Sequence, residues 1–214
     1  ISWTLENGVL VISGKGAMED YSGTDTPWYD SRLKISKIVI LDGVQYVGKM
    51  AFFGCSDVKA VYIAPSVTEI AFRAFSSCTN LTTVYYGGSE EAWKNVSVDS
   101  TKWDSNWYIE NKTKVYNSAA YTLYIDENGT EQKCYIPEKL TADTTYPSGW
   151  YLVQGNVTIE SSLKMSSLSL ILADGATLTI NGCESSGWSY DLNIYGQAGG
   201  SGKLISTDTI NTKN

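Results

Sequence analysis

Apolar residues in the first half of the chain recur with a period of 23 positions. Residues 38–60 and 61–83 overlay in register: Ile38 on Val61, Ile40 on Ile63, Val44 on Val67, Val47 on Ile70, Ala51-Phe52 on Ala74-Phe75, Cys55 on Cys78 and Val58 on Leu81. A third copy opens at Val84-Tyr85-Tyr86 and departs at Gly87-Gly88. A fixed period of this kind marks a repeat architecture, in which each unit buries its apolar face only by stacking on the next. The spacings Ile35-x-x-Ile38-x-Ile40, Val58-x-x-Val61-x-Ile63 and Leu81-x-x-Val84-x-Tyr86 predict one short strand per copy, with alternate residues pointing inward. Stacked copies then form a parallel sheet, and the Ala-Phe pairs and cysteines fill the opposite wall.

Two full copies are fewer than the roughly three that close a core, so both ends need caps. Asn7-Gly8 between apolar alternations predicts a two-residue hairpin that covers one end. At the other end Ser89 followed by Glu90 and Glu91 reads as an N-cap and first helical turn carrying Trp93. The aromatic segment from Trp103 to Tyr108 is expected to pack there too. Cys55 and Cys78, one repeat apart, should lie about 5 Å from each other, the spacing of neighbouring strands. Parallel side chains disfavour the S–S torsion, so both are read as buried thiols. Cys134 and Cys183 pair only if the second half brings them together.

After the polar and small-residue break Asn117-Ser118-Ala119-Ala120 the pattern changes. Tyr121 to Ile125 and Lys133 to Ile136 flank Asn128-Gly129 as a second hairpin. Short alternating strands follow at Val157-x-Ile159, Leu168-x-Leu170-x-Leu172, Leu178-x-Ile180, Leu192-x-Ile194 and Leu204, separated by turns such as Asp174-Gly175 and Gly199-Gly200-Ser201-Gly202. Such spacing suits a sandwich, a barrel or a β-solenoid.

Composition narrows the chemistry. The 214 residues hold 16 Lys plus Arg, 23 Asp plus Glu and no histidine, a net charge of -7. The absence of histidine excludes Ser-His-Asp triads, Cys-His nucleophiles and His-ligated zinc or haem. The acidic balance argues against nucleic acid as a partner. No apolar run reaches the roughly 20 residues of a membrane helix. Gly196 to Lys203 resembles a phosphate loop only superficially: Gln197 and Leu204 stand where a glycine and a Ser or Thr are required, so it is read as a turn. Asp126 to Glu131 lacks the alternation of a calcium loop and is also read as a turn. The acids Glu19-Asp20, Asp25, Asp30, Glu90-Glu91, Asp104 and Asp191 carry no paired motif and are read as a solvated face. No cofactor or metal is implied.

Aromatic residues are 12 % of the chain, with 7 Trp and 15 Tyr. The residue between the last two apolar positions of each strand should point outward. Those residues are Val39, Tyr62 and Tyr85, a stacked row able to grip a protein or a sugar ring, with Lys37, Ala60 and Thr83 beside it.

The repeat resembles the BspA-like, Treponema-type leucine-rich repeats of bacterial surface proteins. Val61-Tyr62-Ile63-Ala64-Pro65 through Ala74-Phe75-Ser76-Ser77-Cys78-Thr79-Asn80-Leu81 follows the family pattern nearly throughout, whereas the copy at 38–60 has Leu41-Asp42 in place of the proline. Trp3 to Gly14 and Pro27-Trp28-Tyr29 resemble the family's N-terminal hairpin segment, and Val84 to Trp93 its exit segment. Leu168 to Ile180 with Leu192 to Gly196 resembles the opening rungs of right-handed β-helices.

The expected fold is mainly β with short helices: a short leucine-rich-repeat solenoid, then an all-β, β-solenoid-like domain. Residues 1–117 form the first domain (hairpin cap 1–34, repeats 35–83, exit cap 84–117) and 118–214 the second. Because the chain starts at Ile1 and stops as rungs accumulate, it reads as a fragment of a longer protein. The resemblance implies a non-enzymatic, secreted or wall-attached protein that mediates adhesion or ligand binding, with a host or matrix protein as partner. The alternatives are a carbohydrate-binding module and, behind it, a polysaccharide lyase or hydrolase.

Overall fold

The computed structural model describes residues 1–100, 106–144, 149–159, 167–181 and 192–206. It divides into two units, Ile1–Ala120 and Tyr121–Asn214. Trp103, Asp104, Cys183 and Asp191 lie outside the described residues.

In the first unit β1 (Ser2–Glu6) and β2 (Val9–Ser13) pair antiparallel. Asn7 and Gly8 turn between them at φ values of 49° and 76°, the left-handed pair that a two-residue hairpin needs. β3 (Gly16–Ala17) and a 3-10 helix at Tyr29–Lys34 lead to β4 (Lys37–Ile40) and β5 (Val44–Val47). The next copy supplies β6 (Ala60–Ile63) and β7 (Glu69–Ile70). Then come β8 (Thr83–Tyr86), α1 (Glu90–Trp93), β9 (Ser97–Val98), α2 (Trp107–Glu110) and β10 (Thr113–Val115). These strands form a six-stranded sheet in the order β1-β2-β4-β6-β8-β10 and a four-stranded one in the order β3-β5-β7-β9. Every neighbouring pair except β1 and β2 is parallel.

The 23-residue period becomes the ladder register: Ile38 pairs with Val61 and Val61 with Val84. Leu10 of the hairpin joins the same inner row beside Ile38. Lys114 of β10 ends it beside Val84, with its ammonium 5.6 Å from the centre of the Trp93 ring. Between the two sheets lies one apolar core. Phe52 and Phe75 lie 5.0 Å apart between ring centres, Trp28 stacks on Phe52 at 5.6 Å, and Trp3 meets Trp28 edge-on at 5.9 Å. The Trp28 indole N–H donates to the carbonyl of Ala51 at 2.9 Å, satisfying a polar handle that burial would otherwise penalise. Cys55 and Cys78 are buried free thiols, as expected. Burial pushes the Cys55 thiol up to about 12 and that of Cys78 well above its ordinary value.

In the second unit β11 (Tyr121–Ile125) and β12 (Glu131–Tyr135) form the expected hairpin. Asp126 fastens its turn, with one carboxylate oxygen accepting from the backbone N–H groups of Asn128 and Thr130 at 2.9 Å each. β13 (Glu138–Lys139) precedes three pairs of strands: β14 (Gly149–Val153) with β15 (Asn156–Ile159), β16 (Leu168–Leu172) with β17 (Thr177–Ile180), and β18 (Leu192–Gly196) with β19 (Lys203–Ser206). One sheet runs β12-β11-β18-β16-β14-β13 and the other β15-β17-β19. Tyr151, Val153, Val157, Ile159, Leu168, Leu170, Leu172, Leu178 and Ile180 share the core. The glycine-rich run after Gly196 is the turn between β18 and β19. The Asp174 carboxylate holds it by accepting from the backbone N–H of Gly199 at 3.1 Å.

Candidate functional site

The outward rows of the six-stranded sheet are built by alternation, as expected. Val11, Val39, Tyr62, Tyr85 and Val115 lie side by side on successive strands. Val9, Lys37, Ala60, Thr83 and Thr113 form the row beside them. The exposure expected of these rows is only partly present, and this corrects the sequence reading. Val39 is 0 % exposed and Tyr62 7 %, and Ala60 is buried too, so none of the three offers a surface to a ligand. Alternation assigns a residue to a face; it does not say what else packs on that face. For Tyr62 part of the packing is visible: its hydroxyl lies so close to Gly87, with Pro65 alongside, that any side chain at Gly87 would collide. Burial, helped by Asp42, pushes the Tyr62 phenol upward. The glycine at 87, where the earlier copies have Leu41 and Ala64, leaves room for the Tyr62 hydroxyl.

The accessible part of the face lies toward the exit cap. Tyr85 and Thr83 are half-buried, Thr113 is exposed, and Val115 is 40 % exposed, whereas Lys37, also half-buried, lies on β4 beyond the buried Ala60. Val115 and Thr113 are accessible residues of this face that sequence reasoning missed. They sit outside the 23-residue copies, and only the parallel pairing of β10 with β8 brings Val115 beside Tyr85 and Thr113 beside Thr83.

Specific contacts fasten the exit cap to this end. The Ser89 hydroxyl accepts from the backbone N–H of Ala92 at 3.2 Å, the expected N-cap, and Trp93 packs edge-on against Tyr86 at 5.1 Å. Asn106, 0 % exposed, does more. Between copies the Phe52 N–H donates to the carbonyl of Ala74 at 2.8 Å. Phe75 has no third copy to receive its N–H, and the Asn106 side-chain oxygen accepts it at 3.1 Å. The same amide's nitrogen donates to the carbonyls of Ala71 and Asp99 at 2.8 Å each. One side chain thus stands in for the backbone of a missing repeat. Of the aromatic segment that contains it, Tyr108 packs on the core as expected, but Trp107 is 52 % exposed.

Carboxylates act as fasteners. Asp20 accepts from the Lys49 N–H at 2.7 Å and the Tyr46 hydroxyl at 2.8 Å, and these bonds hold its carboxyl below its ordinary range. In the second unit Tyr124, Trp150 and Tyr195 form a half-buried ring cluster with centres 4.8 to 5.2 Å apart. Among the described residues no group of three or more Cys, Asp and Glu side chains is placed to hold a metal ion, and no helix is long and apolar enough to cross a membrane.

These features meet known proteins at the repeat. The family model of the BspA type leucine rich repeat region matches residues 27–129, in 6 copies. This stretch is a BspA-type leucine-rich repeat region. The region begins beyond the β1–β2 hairpin and contains β4 to β10. Among solved structures the chain is similar to a leucine-rich repeat protein from Eubacterium ventriosum, with 18 % identity over 91 % of this chain and 70 % of that one, at a TM-score of 0.37. No curated protein matches the sequence.

Proposed function

We propose that the chain belongs to a secreted or wall-attached bacterial protein and binds a host or matrix protein through the outer face of its six-stranded sheet, without catalysing a reaction. The observation that carries this reading is the row of Tyr85 and Val115 beside Thr83 and Thr113, an accessible amphipathic strip on a rigid ladder. Aromatic and aliphatic groups of this kind are the usual anchors of a protein interface, and a prebuilt sheet loses little entropy when it binds. A BspA-type repeat region supplies the scaffold, and a histidine-free chain has no use for the commonest proton shuttle. The test is binding to immobilised extracellular-matrix proteins. Tyr85→Ala with Val115→Ser is expected to abolish capture, while Tyr62→Phe, which changes a buried residue, leaves it intact. Equal capture by all three chains would remove the assignment. A glycan-binding role is the second reading, drawing on the exposed indole of Trp107. Glycan-array signal lost with Trp107→Ala, in the absence of any protein ligand, would favour it.

A further inference from the structure

The geometry points to a peptide-binding slot at the open edge of β15, where an extended acidic segment of a partner protein adds to the sheet β15-β17-β19. It stands on the second unit alone and is independent of the matrix-binding reading.

In the three-stranded sheet, β15 has β17 on one side and, among the described residues, no strand on the other. The ladder shows which backbone groups are left over. Thr177 N–H donates to the carbonyl of Gly155, and Asn181 N–H to that of Ile159, each at 2.9 Å. In a parallel pair successive residues turn their N–H and C=O groups to opposite sides. Residues 155, 157 and 159 therefore face β17, and the N–H and C=O groups of Asn156 and Thr158 face the free edge. Such a row is a template for another strand.

The segment before β14 adds no described strand to this edge. β13 pairs with β14 through Glu138 and Lys139, and Leu140 N–H still donates to the carbonyl of Leu152 at 3.0 Å. A turn then closes at once, with Thr144 N–H donating to the carbonyl of Thr141 at 3.1 Å. What remains is a cleft of about 370 Å³ lined by Lys139, Thr141, Gln154, Asn156 and Thr158 around the apolar Leu140 and Val157. That volume lies within the range of ligand pockets, about 300–1,000 Å³. Its free groups recur every second residue, about 6.6 Å apart, the repeat of an extended peptide and not of a sugar ring. Lys139 is the one charged side chain among the described lining residues, which favours an acidic occupant.

A random heptapeptide library displayed on phage, panned on the full chain, tests the slot. Sequences with Asp or Glu should be enriched, and a synthetic copy should protect the Asn156 and Thr158 amides from hydrogen exchange. Thr158→Pro removes an N–H that bonds nothing in the ladder, so it leaves the sheet intact while blocking the edge. It should weaken the peptide about tenfold or more. The same loss is expected when alternate backbone nitrogens of the peptide are methylated, a change that leaves the protein untouched and decides the matter if Thr158→Pro does not fold. Lys139→Glu should abolish the acidic preference. Absence of enrichment, equal binding of the methylated peptide, or protection of these amides by a hexasaccharide and not by peptide would overturn the proposal.

Discussion

The two units solve one problem differently. Both stack parallel strands, and a parallel stack leaves unpaired backbone at each end. In the first unit each end carries a dedicated element: the β1–β2 hairpin pairs with β4 on one side, and on the other β10 pairs with β8 while Asn106 takes up bonds that a further copy would make. In the second unit the β11–β12 hairpin joins β18 in the larger sheet, and no described strand or capping side chain covers the edge of β15. The cores differ as well. The first is keyed by the Trp28-Phe52-Phe75 stack, the second by aliphatic side chains around one tyrosine. A solenoid turn therefore does not specify its own end; a dedicated cap does.

The largest effect that would break this comparison is loss of the stack. Phe75→Ala should cost about 3–5 kcal/mol, because a fully buried ring leaves a cavity. Chemical denaturation should show an early transition whose hydrogen-exchange signature is confined to the first unit, with the second unit's transition unmoved. Next comes the cap. Asn106→Ala strands the Phe75 N–H and two carbonyls, and should lower the first unit's stability by about 2–3 kcal/mol, with exchange fastest at β7 and β9.

The third effect is alkaline. The Cys55 thiol rises from 9.0 to about 12 on folding, so above pH 9 the unfolded chain releases a proton that the folded one keeps. Stability should then fall by about 1.4 kcal/mol per pH unit for this thiol, until pH approaches the folded value. Denaturation midpoints at a series of pH values measure the slope, and Cys55→Ala should reduce it by this share, leaving the part that the raised Cys78 thiol contributes. The smallest effect is at the exit helix: Ser89→Ala removes its N-cap and should cost about 1 kcal/mol, seen as local exchange at Ala92. Should these four rank differently, the end caps are not what sets the first unit apart.

Much of the first unit is legible in the order of its residues. The 23-residue period places β4, β6 and β8 in the observed register, because a repeat in sequence is a repeat in space when each copy meets only its neighbours. Asn7-Gly8 announces its hairpin, since few residue pairs tolerate two left-handed conformations. Asn106 is not legible in this way. Its partners Phe75 and Ala71 stand 31 and 35 residues away, and a capping amide belongs to no periodic pattern. Nor is the burial of Val39 and Tyr62, because strand alternation is blind to what covers a face.

Local chemistry in the sequence thus determined the repeat, its strand register, the two hairpins, the buried thiols and the absence of histidine chemistry. These follow from spacing, turn stereochemistry and composition, which need no knowledge of distant residues. The tertiary structure decided where the repeats stop, which outward residues remain accessible and which sheet edge is left open. Each of those depends on a segment far along the chain arriving at a stack's end or failing to arrive, and only the folded chain brings such segments together.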